Sequence, residues 1–287
     1  MEAIYKRELK SLFNGLTAWI YMGVMFVMCG IFTMANNLLS LYSQFEYVLS
    51  SLPLFLLVAV PILTMRSLSG EKRARTDQLL YSLPLKMSQI VIGKYFALVT
   101  VHAAVSLVMG FVPVILSLYG DVHFGSAYSA LLGFFLLGCA LIAVNLFLSS
   151  LITNQAAVCF AGIVAGFLLY LMSGLASLFP STAGASLFAF VVLSVLAGLV
   201  LYFLTKNLLI GGGAALAGAA VSVVVFFVKK TAFEGLFPRI IEYLALFDRL
   251  NSFINGIFDI TAVVYYITLI IFFVWLSVQS MDKKRWN

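Results

Sequence analysis

Long apolar runs with almost no charge inside them constrain this chain more than any other feature. Eight can be placed, over about residues 16–35, 52–65, 90–119, 127–151, 156–178, 185–204, 208–228 and 260–279. A helix needs roughly 20 consecutive apolar residues to cross the hydrocarbon core of a bilayer. The second run is short and carries Pro53 and Pro61, whereas the third is long enough to protrude. Only 10% of the 287 residues are charged and 63% are hydrophobic. A soluble domain carries about 25% charged residues, so this chain lacks the polar surface to cover a water-soluble globule. In lipid, every backbone N–H and C=O must be paired within the protein. The expected fold is therefore all-α: a polytopic membrane helix bundle of about eight transmembrane helices, forming a single transmembrane domain over 1–287. The sixth and seventh runs have an alternative reading as a shallow hairpin.

Charge orients this bundle. Ahead of the first run, Ile4, Leu9, Leu12 and Phe13 alternate with Lys6, Arg7, Glu8 and Lys10. The pattern fits an interfacial amphipathic helix, or simply a charged helix start. The first run is too long for a signal peptide and lacks a small-residue exit. With the N-terminus in the cytoplasm, only Lys229, Lys230, Arg239 and Arg249 of the 17 basic residues fall outside, as the positive-inside rule requires. An even number of spans keeps Lys283, Lys284 and Arg285 inside as well. The expectation is a plasma-membrane protein with both termini cytoplasmic. The net charge of +6 is then membrane anchoring rather than a nucleic-acid surface.

Little in the spans suggests chemistry. His102 and Asn145 are polar candidates, and an ionisable residue inside a membrane is a functional candidate. The alternatives are a neutral histidine bonded to a carbonyl and an asparagine joining two helices. Ser173 has no evident base. Gly211-Gly212-Gly213 lacks the lysine and Ser/Thr that phosphate cradling needs. Gly211 and Ala215, like Gly162 and Gly166, are spaced for close helix packing. Cys29, Cys139 and Cys159 lie inside apolar runs with no disulfide or metal spacing. No metal, cofactor or catalytic residue is expected in this chain.

Two stretches lie outside the runs. From Lys229 to Asp259 the charges balance, and Ile240, Tyr243, Leu244 and Phe247 recur at helical spacing. This predicts helices at the outer membrane face that cap a substrate route, with Phe247, Phe253, Gly256 and Asp259 as gate candidates, or else an amphipathic connector. The other stretch follows the second run: Thr64, Arg66, Glu71, Lys72, Arg73, Thr76, the pair Leu79-Leu80, and Pro84. On physics alone it is either a topology-anchoring basic loop or a docking surface.

That loop resembles the signature of ABC-2 type permeases, and Gly93-Lys94 resembles the Gly-Lys that opens their next span. Gly70 and Arg75 depart from it, where an acidic residue and a glycine are usual. Lys6-Arg7-Glu8-Leu9 near the start is similar too. Phe253, Gly256, Asp259, Tyr265-Tyr266 and Arg285-Trp286 resemble the gliding-motility and copper-enzyme-maturation branch. The resemblance implies a six-span core, here with an extra pair of helices. It also implies partners: two ABC ATPase subunits that bind the ATP and Mg, and a second permease, identical or related. It makes Arg66, Glu71, Lys72, Arg73, Thr76, Leu79, Leu80 and Pro84 the ATPase-docking loop. Few buried charges favour a lipid, peptide or other amphiphile as substrate, and an exporter is expected. A membrane scaffold without transport and an ion-coupled secondary transporter are the alternatives.

Overall fold

The computed structural model describes residues 1–73, 86–205, 208–228 and 233–286. Every regular element among them is helical. The chain forms two compact units, one of residues 1–168 with 246–287 and one of residues 169–245.

In the first unit, α1 (Glu2–Asn14) is a separate amphipathic helix that buries only Ile4. Extended backbone at Gly15 breaks it from α2 (Leu16–Phe32), which continues as a π-helical segment, Thr33–Leu39. Next come α3 (Glu46–Ser51) and α4 (Pro53–Thr64), where Pro53 occupies the first helical position, a site that tolerates its missing N–H. After a turn, α5 (Ser69–Arg73) follows. α6 (Met87–Met109) and α7 (Val112–Leu116) make the third crossing, and α8 (Phe124–Leu151) the fourth. α9 (Gln155–Leu178) begins in this unit, which is completed by α13 (Asp248–Ile254) and α14 (Ile260–Trp286).

α8 is the hub, packing against α4, α6, α13 and α14. From Leu137 to Leu146 all its residues are buried, as expected of a helix that is apolar all round. Its glycines set the spacing. A Cβ at Gly133 would lie 2.7 Å from the Phe253 ring, and one at Gly138 would lie 2.1 Å from His102 Nε2. On α9, Gly162 lies against Pro61 and Asn145, and Gly166 against Leu57. Small residues admit this approach where lipid offers no hydrophobic drive for helix association.

The second unit holds α10 (Ala183–Thr205), α11 (Leu208–Val228) and α12 (Leu236–Leu244). α10 and α11 pack along one another. A Cβ at Gly218 would meet Ser194 Cβ at 2.7 Å. These two residues are equally far from the connection, so the pair is an antiparallel hairpin. The close approach thus falls at Gly218. Ala215 is half-buried, and the surroundings of Gly211 lie outside what the structure describes. Phe179, Phe190, Phe226, Phe233 and Phe237 form an edge-to-face aromatic cluster that ties α12 to this hairpin.

Among the described residues six helices are long and apolar enough to cross a membrane: Leu16–Leu39, Pro53–Arg73, Met87–Leu116, Phe124–Leu151, Gln155–Leu178 and Ile260–Lys283. The sequence reading ended the second of these at residue 65. In the structure its polar continuation stays packed against α8, which lengthens it. The hairpin supplies the extra pair. Its helices have 23 and 21 residues, roughly 30–35 Å at 1.5 Å per residue.

Candidate coupling site

The turn leaving α4 is buried, not solvated. Leu68 and Ser69 are fully enclosed, and both donate their backbone N–H to Ser149 Oγ of α8, at 3.2 and 3.0 Å. One hydroxyl thereby meets two of the donors that a helix start leaves open. Ser69 Oγ returns to the Met65 carbonyl, and Lys72 Nζ donates to the Ser150 carbonyl. Gly70 leaves room for Gln155, whose Nε2 would lie 3.2 Å from a Cβ there.

The centre of the site is Lys94, in the second turn of α6. Its side chain is 1% exposed, and its Nζ lies 2.9 Å from Glu8 Oε1 and 2.9 Å from Glu71 Oε1. It also donates to the Ser67 carbonyl at 2.9 Å. An ammonium has three protons and no acceptor, so each proton has a partner on a different element: α1, α5 and the turn before α5. Arg7 Nη2 approaches Glu71 Oε1 at 3.9 Å. The two cations and two carboxylates balance, the condition for keeping such charges out of water. Beside them is a polar cavity of about 220 Å³, lined by Ser11, Thr17, Arg66, Ser67, Glu8 and Lys94 among others. α1 is held on α6 at two further points. Ile4 packs on Gly93, 3.3 Å from a Cβ built there, and Tyr5 Oη bonds Thr100 Oγ1 at 3.0 Å.

Glu71 is therefore turned inward, with its side chain 13% exposed, while Arg66 and Arg73 are exposed and Lys72 half-exposed. Thr76, Leu79, Leu80 and Pro84 lie outside the described residues. The sequence marks Lys94 as an inner-side charge and as part of the Gly93-Lys94 pair of the family resemblance, but not its ties to Glu8 and Glu71. The available signal was a lysine within an apolar helix, which needs a buried partner.

The other candidates sit elsewhere in the first unit. Phe253 is fully buried against Gly133 of α8, and Phe247 is nearly so. The Phe253 ring packs in the α13–α8 contact. At Gly256 φ is +76°. Its N–H donates to the Phe253 carbonyl and that of Ile257 to the Ser252 carbonyl, a left-handed helix stop that glycine adopts without strain. Asp259 Oδ1 accepts the Thr261 N–H at 2.8 Å and so starts α14. His102 Nδ1 is hydrogen-bonded with the Tyr21 hydroxyl at 2.6 Å, and its ring stacks on Phe135. Asn145 donates to the Leu141 carbonyl, with its Oδ1 facing Gly162. Among the described residues no group of His, Cys, Asp and Glu could hold a metal.

A family model described as ABC-2 family transporter protein matches residues 4–210, most of the chain. The chain belongs to the ABC-2 transporter family. No curated protein matches it. Family membership makes this a multi-pass membrane permease component of an ABC transporter, a subunit that associates with ABC ATPase subunits and is itself non-catalytic. The permease's α5, Lys94 and all but the first two residues of α1 fall within the matched residues. Its residues from 211 onward, which carry the resemblance to the gliding-motility and copper-enzyme-maturation branch, lie beyond the match.

Proposed function

We propose that this permease exports a lipid, peptide or other amphiphile, driven by a separate ATPase that binds ATP and Mg and presses on the 66–84 segment. Both termini are then cytoplasmic, in the plasma membrane, and a second permease, identical or related, completes the pathway. The observation that carries the reading is the three-way tie at Lys94. A push on α5 is transmitted at once to α1 through Glu8 and to α6 through the lysine itself, because Glu71, Glu8 and the Ser67 carbonyl share one ammonium. The exposed Arg66 and Arg73 face the cytoplasm for the ATPase, and Glu71 acts by holding the segment rather than by touching the partner. Thr76, Leu79, Leu80 and Pro84 complete the docking surface in this reading. At the other end, Phe247, Phe253, Gly256 and Asp259 act at the outer gate in this reading.

Reconstitution tests this. The permease co-purified with its ATPase and placed in vesicles is expected to move a fluorescent amphiphile only when ATP is supplied. Movement driven by an ion gradient without ATP supports a secondary transporter instead. A complex that hydrolyses ATP yet moves nothing supports a scaffold.

A further inference from the structure

At the end of α2 remote from α1, the helix widens into the π-helical segment Thr33–Leu39. Such segments are rare and are often found at functional sites. Two residues later Leu41 takes φ of +57°, a left-handed conformation that strains a branched side chain. Asn37, buried at the base of this loop, holds it by donating to the carbonyls of Tyr42 at 2.7 Å and Gln44 at 3.0 Å.

The segment separates two cavities of contrasting chemistry. One face, with Met34 and Leu38, borders a cleft of about 470 Å³ between α2 and α6–α7 whose walls include Phe26, Gly30, Met109 and Leu116. The cleft is almost wholly apolar and lies within the membrane-crossing parts of both helices. Another face, with Asn36 and Ser40, borders a cavity of about 430 Å³ completed by Tyr42, Tyr47, Ser50 and Ser51. Here the lining is polar and uncharged. The Tyr42 and Tyr47 rings stand 6.3 Å apart at 60°. Ser40 donates its hydroxyl proton to the Ala35 carbonyl, and Ser50 and Ser51 donate theirs to the Tyr47 carbonyl.

The lining decides the ligand: the three serines offer acceptors, the Tyr42 and Tyr47 hydroxyls and the Asn36 amide can donate, and there is no charge among them. With its proton used on the backbone, each serine hydroxyl presents only lone pairs. A phosphate or carboxylate accepts and does not donate, and no lysine, arginine or histidine lines either cavity to balance its charge. Head groups rich in hydroxyls do donate, and the faces of sugar rings lie well on tyrosine. We propose that this end of α2 binds a lipid with an uncharged, hydroxyl-rich head, a glycolipid, its head in the polar cavity against the Tyr42 and Tyr47 rings and one acyl chain in the cleft beside Gly30. The proposal rests on α2 and α6 crossing a bilayer and not on drive by an ATPase. With cytoplasmic termini, the site opens to the outer leaflet.

The test is binding to the purified full-length chain in a detergent without a sugar head, read by native mass spectrometry. The probes are monoglucosyl diacylglycerol and phosphatidylglycerol with the same acyl chains. The glycolipid is expected to be retained at least roughly tenfold better, as for loss of several hydrogen bonds. A Cβ at Gly30 meets nothing within 4 Å, so Gly30→Phe fills the cleft without disturbing α2 and is expected to reduce binding of both lipids by a similar factor. Tyr42→Ala with Tyr47→Ala is expected to abolish the preference while leaving binding of phosphatidylglycerol unchanged, a selective result that misfolding would not produce. Equal retention of the two lipids, or glycolipid binding indifferent to both changes, overturns the proposal. So does a Gly30→Phe chain that loses a dimer but keeps its lipid, since the cleft is then an interface between copies.

Discussion

Lys94 and Lys6 show how differently one residue type behaves across a few ångströms of depth. Lys6 pairs with Glu2 at 2.7 Å, but both side chains are more than two-thirds exposed, and such pairs contribute at most about 0.5 kcal/mol. Lys94 is enclosed and holds two carboxylates and a carbonyl. Removing one partner of a buried pair costs about 3–5 kcal/mol, here reduced by the residual exposure of Glu8 and Glu71. Lys94→Met is therefore expected to lower the thermal unfolding midpoint in detergent by on the order of 10 °C, with Lys6→Met within experimental scatter. Equal shifts would show that the tie at Lys94 carries no special weight. In sequence, Lys94 was visible as a charge near a span end, but its partners were not, because no periodicity links residues on α1, α5 and α6. The Tyr21–His102 bond was hidden for the same reason. By contrast, Gly162 and Gly166 were legible from their spacing, since four residues return to the same helix face.

At the scale of elements, the apolar runs gave helix number and order, because length alone separates a span from a core helix. Their ends were less legible. The second run appeared to stop at Met65 because Arg66, Lys72 and Arg73 read as solvated, whereas Ser149 and Lys94 satisfy the polar atoms of that turn inside the bundle. The segment before the last span reads in sequence as one or two amphipathic helices. Its α12 buries no residue, while α13 buries Leu250 and Phe253, a division decided by Gly133 on α8 rather than by anything local. Gly256 was legible as a bend because glycine is the residue for a left-handed stop. Gly256→Ala, with φ held at +76°, is expected to destabilise the chain by about 1–2 kcal/mol, read as a lowered unfolding midpoint. An unchanged midpoint would mean that α13 and α14 are not joined by this stop.

For the whole molecule, topology and coupling stand or fall together, since the 66–84 segment reaches an ATPase only if the termini are cytoplasmic. Single cysteines at Ser11, Ser126 and Asn287, in a chain lacking Cys29, Cys139 and Cys159, are expected to react with an impermeant thiol reagent in intact cells only at position 126. Labelling at either end would invert the bundle. The excess of basic residues on one side predicts this orientation without any fold, whereas the partner's contact points are named by the family resemblance of the 66–84 motif and not by any physical pattern. The most direct measurement of the central claim is photocrosslinking from Arg73, which is exposed at the end of α5, in the intact complex with its co-purifying subunits identified. The account predicts a crosslink to an ABC ATPase, and a loss of permease-stimulated ATP hydrolysis when Lys94→Met unties the segment behind it. A complex that contains no ATPase, or one whose ATPase is never reached from position 73, would contradict it.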